Sequence, residues 1–150
     1  MQKGFLTVIL VSLSALNPAL ATTVAATLTD WGLPGTWAID CGAAPGKGTS
    51  ARLRFVARPD GTAVHFRDFG DRPSSDKVKA ARITPEGWLE MKIFFNGLKK
   101  GEEDRTFALE KLDAKSIRAG YNHNAKGIYT IKDGKLTASG NDSLVQHKCD

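Results

Sequence analysis

From Gly35 onward the chain sets apolar against polar residues in short runs broken by turn residues, which is the period-two pattern of strands with one covered face. In residues 35–41, Trp37, Ile39 and Cys41 alternate with Thr36, Ala38 and Asp40. Residues 51–58 set Leu53, Phe55 and Ala57 against Arg52, Arg54, Val56 and Arg58. Residues 62–69 set Val64 and Phe66 against Ala63, His65 and Arg67, and the first pair is expected to face inward. Residues 78–84 and 88–95 read as the next pair, with Leu89, Met91, Ile93 and Phe95 on one face. Further strands are expected at 105–112, at 117–121 (Ile117, Ala119 and Tyr121 on one side), at 127–132, 135–139 and 143–149.

The breaks between these runs have turn chemistry. Pro59-Asp60-Gly61 and Pro85-Glu86-Gly87 combine a preset φ with a residue free to take positive φ, and Asp133-Gly134 is a two-residue hairpin signal. Residues 71–77 and 96–104 read as polar surface loops. Residues 22–30 (TTVAATLTD) have no convincing period and read as a flexible arm. With no window giving an amphipathic helix, the prediction is all-β: one antiparallel meander of eight to ten strands spanning 35–150. About eight strands closes into a barrel, which leaves no edges to protect.

Two features outside the pattern bear on compartment. Lys3, the apolar run 5–16 and the small-residue site Ala19-Leu20-Ala21 are the three parts of a secretory signal peptide, so residues 1–21 are expected to be removed; Val24-Ala25-Ala26 is a second candidate site. The expected location is periplasmic or secreted, and the mature chain has no apolar run long enough to span a membrane. In an oxidising compartment the two cysteines, Cys41 and Cys149, are expected to form a disulfide that ties the first strand to the last. Gly35 would give that first strand an unusual backbone angle or a close approach, and Trp37 would plug a barrel end.

Charge narrows the function only slightly. The mature chain carries 20 basic and 16 acidic side chains, a mild excess that permits anionic partners without requiring them. The distinctive polar set is Arg52, Arg54 and Arg58 on one strand with His65 and Arg67 on the next, a candidate anion-binding patch on the outer face. The basic strands lack the interleaved aromatics that nucleic-acid binding would want. No metal motif, no cofactor motif and no nucleophile motif is present, the three histidines His65, His123 and His147 are not paired at ligand spacing, and the acids, Asp76 among them, fall mostly at positions read as solvated turns and loops. The chain is therefore expected to be non-enzymatic, without metal or cofactor, and monomeric.

Gly35-Thr36-Trp37 at the opening of the first strand, the hairpin-rich meander and the disulfide to the C-terminus resemble the calycin superfamily of lipocalin-like barrels, in particular small exported bacterial barrels without a defined activity. That resemblance implies an architecture and a location, not a substrate; the function expected from the aromatic inner face is binding of a small apolar or amphipathic ligand, or of an exported protein partner. The Thr-Asp-Tyr triplet and the late arginine typical of lipocalins are not placed here. Trp37, Phe55, Phe66, Met91, Phe95, Phe107 and Tyr121 are the candidate ligand-lining residues, and the same large side chains could equally fill the interior. Avidin-like barrels share the Gly-x-Trp opening, but the tryptophans here are Trp31, Trp37 and Trp88, without the late ones of that family. Small exported metalloprotease inhibitors share the barrel and use an N-terminal arm, so inhibition of an exported protease through residues 22–30 is the alternative function.

Overall fold

The computed structural model describes residues 22–46, 51–71 and 73–150, so the expected leader lies outside the described residues. One short helix, α1 (Val24–Trp31), precedes ten strands: β1 (Gly35–Ala38), β2 (Arg52–Ala57), β3 (Ala63–Asp68), β4 (Ser74–Ile83), β5 (Leu89–Phe94), β6 (Asp104–Asp113), β7 (Ser116–Asn124), β8 (Tyr129–Lys132), β9 (Lys135–Leu136) and β10 (Gln146–Lys148). Neighbouring strands pair antiparallel from β1 through β9. β10 pairs with β1 on one side and β7 on the other, which closes β1 to β7 and β10 into an eight-strand barrel. β8 and β9 form an extra hairpin along the outer half of β7.

The expected clasp is present. Cys41, in the turn after β1, is bonded to Cys149, just past β10, across 108 positions of sequence. Gly35 holds φ +134°, and that backbone angle requires glycine; a Cβ there would come within 2.8 Å of Lys148 Cε and Asp150 Oδ1, but these are ends of flexible side chains that can move aside.

The segment expected to be a flexible arm is instead the helix α1. Thr23 caps its start by accepting the Ala26 N–H at 3.1 Å, and Gly32 ends it in the left-handed conformation at φ +86°. Leu28 and Trp31, three apart and so on one face, are buried with Leu33 and Trp37. The helix lies across one barrel end. Its Ala25 N–H donates to the β2–β3 turn at Gly61 O (3.0 Å), Trp31 Nε1 donates to the β4–β5 turn at Gly87 O (2.9 Å), and Lys111 of β6 donates to Trp31 O (2.5 Å). Trp37 Nε1 donates to Leu33 O at 2.8 Å beneath it, so the plug is shared between the predicted tryptophan and an element that was not predicted.

Three face or boundary expectations are corrected. β3 points His65 and Ala63 inward, because the strand pairs with β2 in the register Phe55↔His65 and residues directly opposite share a face. Phe66 therefore lies outside, under the Arg54 guanidinium at 4.7 Å. β4 starts at Ser74 rather than 78, which takes Asp76 out of the expected loop and into the barrel wall. On β7 an irregularity in the pairing lets Gly120 stand as an extra residue, since Leu109 opposes Ala119 while Ala108 opposes Tyr121. The alternation flips there, sending Tyr121 outward and Asn122 inward.

Candidate functional site

Inside the barrel the side chains near α1 pack solid: Trp37, Leu89, Met91, Ile93 and Ile117 are fully or almost fully buried in one cluster with the helix residues. Toward the opposite end they do not fill the space. A half-open cavity of about 290 Å³ remains there, lined by Leu53, Phe55, His65 and Arg67 of β2 and β3, by Phe95, Phe107 and Leu109, by Ala119 and Asn122 of β7, and at its rim by Ile131, Leu136, Ser143, Leu144 and Gln146. That volume falls just below the ~300–1,000 Å³ usual for ligand pockets and suits one small molecule.

The cavity wall carries a polar cluster. Asp76, fully buried on β4, accepts from Arg67 Nε at 2.7 Å, from Arg67 Nη2 at 3.2 Å and from the Asn96 backbone N–H at 2.8 Å. Arg67 Nη2 also donates to Asn96 O at 3.0 Å, and its guanidinium lies over the Phe95 ring at 4.7 Å. The arginine that enters the interior is thus neutralised by its own partner. Burial works against charge on Asp76, yet the imidazole of His65, the guanidinium of Arg67 and the Asn96 N–H together hold its carboxyl below the ordinary 3.8.

His65 is the neighbour across the strand pair, 3% exposed, with Nδ1 3.6 Å from Asp76 Oδ2, beyond hydrogen-bond length. Neither ring nitrogen has a hydrogen-bond partner. The ring is held by aromatics: stacked on Phe55 at 4.5 Å, edge-on to Phe95 at 5.7 Å, tilted against Phe107 at 6.5 Å. Burial pushes the imidazole below its ordinary 6.5 and outweighs the opposing pull of Asp76, so it is neutral at pH 7.

The candidate ligand-lining residues are divided. Phe55, Phe95 and Phe107 reach the cavity; Trp37 and Met91 belong to the solid part of the core; Phe66 and Tyr121 are outside, the latter donating its hydroxyl to Glu90. The candidate anion patch is divided too. His65 and Arg67 face inward, Arg52 and Arg54 line an outer hollow with Phe66, and Arg58 stands in the β2–β3 turn beside α1. Arg52 Nη2 is already bonded to the carbonyls of Cys41 (2.9 Å) and Ala43 (2.8 Å).

His123 Nδ1 lies 2.9 Å from Asn124 O, and His147 Nδ1 lies 3.1 Å from Ser116 Oγ, both away from His65. Among the described residues no three His, Cys, Asp or Glu side chains converge as a metal site would, and no helix is long and apolar enough to cross a membrane. Asp76, Asn122 and Gln146 were missed as site residues because each sits in a stretch whose polarity reads as exposed. No family model, no curated protein and no solved structure matches this chain, so the site stands on its own geometry.

Proposed function

We propose that this chain is an exported, non-enzymatic barrel that holds one small, largely apolar molecule in the cavity remote from α1. The observation that carries this reading is the asymmetry of the interior: solid where α1 covers it, hollow and phenylalanine-lined at the other end. Outer hollows of similar volume are lined mainly by charged and polar side chains, whereas this 290 Å³ space is lined mainly by inward-facing apolar ones, which favours an apolar occupant. The closed eight-strand barrel supports the resemblance to lipocalin-like barrels. The Cys41–Cys149 bond and the leader pattern support export. Cleavage after Ala21 keeps α1 whole, whereas cleavage after Ala26 would remove its cap and first three residues. The protease-inhibitor alternative needs a free arm, and that segment is the helix that covers the barrel end.

The test is titration with 2-methylnaphthalene, a neutral fluorescent hydrocarbon, followed by its emission. Binding to the wild type is expected, with loss in Ala119→Phe, which fills the cavity from β7, and no change in Arg54→Ala, whose side chain lies outside. Equal binding by Ala119→Phe and wild type, or none by either, would refute the interior site.

A further inference from the structure

We infer that the molecule this cavity receives is neutral and ends in a hydrogen-bond donor, an alcohol or a phenol, taken by Nε2 of His65. The inference rests on the interior-site reading above and adds the chemistry of the occupant.

Three buried polar atoms on two residues of the cavity lining lack partners. His65 has neither nitrogen bonded, and Gln146 Oε1, at the rim, is likewise buried and unbonded. A buried polar atom left unpaired is costly, so a lining that carries three of them favours an occupant that pairs with them, reached by a small shift of the side chains that close over them. For His65 the geometry also selects the kind of partner. Its Nδ1 faces the carboxylate of Asp76 at 3.6 Å, and a negative charge on that side assigns the ring proton to Nδ1. Nε2 is then a lone-pair acceptor, and the contacts with Phe55, Phe95 and Phe107 keep the ring from turning. Gln146 Oε1 is an acceptor as well.

The same wall disfavours an anion. Arg67 is the cation that lines the cavity, and its guanidinium already makes two bonds to Asp76 and one to Asn96 O. A carboxylate entering this space would meet a neutralised arginine and two acceptors. The matching occupant is an apolar body, sized for ~290 Å³, with one or two O–H or N–H donors at its inner end.

Three probes of one shape test this: 2-naphthol, 2-methylnaphthalene and 2-naphthoate, each titrated into the wild type, His65→Phe and His65→Gln. Thermal unfolding and 2-methylnaphthalene binding show that each variant is folded and hollow. The naphthol-to-methylnaphthalene affinity ratio is expected to fall about tenfold or more in His65→Phe and to be partly kept in His65→Gln, which retains an acceptor. An unchanged ratio in His65→Phe, with methylnaphthalene still bound, would overturn this inference and leave the interior site standing. Tightest binding of 2-naphthoate to the wild type would overturn it in favour of an anion site at Arg67. Failure of both neutral probes on the wild type would remove the interior site itself.

Discussion

His65 Nδ1 lies 3.6 Å from Asp76 Oδ2 across the β3–β4 pair, with 3% and 0% of the two side chains exposed. Each residue constrains the other: the carboxylate orients a ring that has no hydrogen bond of its own, and the ring excludes water from a carboxylate held by Arg67 and Asn96. Such a pair ties stability to pH, and the direction follows from the depressed imidazole. Between its folded value and the ordinary 6.5, the unfolded chain binds a proton that the native chain refuses. Stability from this group is therefore full above about pH 6.5 and declines as pH falls below it, by at most about 1.4 kcal/mol per pH unit. The charged groups facing the ring are Asp76 and Arg67, and Asp76, held below its ordinary 3.8, does not titrate in that window. Urea unfolding from pH 8 to 5 should show the decline in the wild type, and His65→Phe should flatten it. Equal slopes would mean that the decline comes from elsewhere.

Asp76→Asn should be among the most damaging single substitutions in the wall. It leaves the Arg67 guanidinium without its carboxylate, a change that costs about 3–5 kcal/mol for a buried pair. The lower end is expected, because Arg67 keeps 14% exposure. Asp142→Asn breaks the Lys135–Asp142 pair, whose side chains are 58% and 71% exposed, and should leave the unfolding midpoint almost unchanged, because solvent screens the pair. Chemical denaturation of both variants checks the contrast. Similar losses in the two would show that burial of Asp76 does not set its contribution.

The ten strands were legible because each run alternates and each break has turn residues; the faces were not, and β3 shows why. Taken alone, Val64 and Phe66 outweigh Ala63, His65 and Arg67 in hydrophobicity. Yet the turn centred on Asp60 pairs Ala57 with Ala63 and Phe55 with His65, so an inward Phe55 requires an inward His65. Registering the hairpin through its turn, rather than ranking each strand's faces separately, would have found the site histidine. Asp76 was hidden by the polar run 71–77, which hydrophobicity cannot tell from a loop when a buried acid has its partners on other strands. The helix α1 was marked by Thr23, Gly32 and the Leu28/Trp31 spacing, but at eight residues it is too short for its period to stand out. Gly120 gave no sign of a bulge, because nothing around it signals a turn.

The clasp should dominate the stability of the closed barrel. A cross-link over a loop of more than 100 residues contributes ~4.7 kcal/mol in the chain-entropy model, and measured losses on removing native disulfides run to about 2–5 kcal/mol. Cys41 and Cys149 span 108 positions and join the turn after β1 to the end of β10, the two strands whose pairing closes the sheet. The double variant Cys41→Ser with Cys149→Ser is expected to lose stability in that range by urea unfolding. Thiol titration of the unfolded, unreduced wild type should find no free thiol. Two titratable thiols would show that the bond does not form in the protein as made.

Gly120 and Trp88 offer a test of the bulge that turned Tyr121 outward. A Cβ on Gly120 would stand 2.5 Å from Trp88 Cζ3 and 2.8 Å from Cε3, closer than any carbon contact allows. The indole lies on the outer face, tilted against Tyr121 at 6.2 Å, and Trp88 is only partly buried, so it can swing away. Gly120→Ala should therefore leave the barrel closed while lifting the indole from β7, at an overpacking cost of about 1–3 kcal/mol. The decisive measurement is a double-mutant cycle with Trp88→Ala, read by denaturant unfolding. Gly120 has no positive φ, so once the indole, which supplies the three nearest atoms, is gone, an alanine there should be neutral or slightly stabilising, since it narrows the unfolded ensemble by ~0.4–1 kcal/mol. If Gly120→Ala is as costly without the indole as with it, the glycine is required by the backbone of the bulge and not by the ring above it.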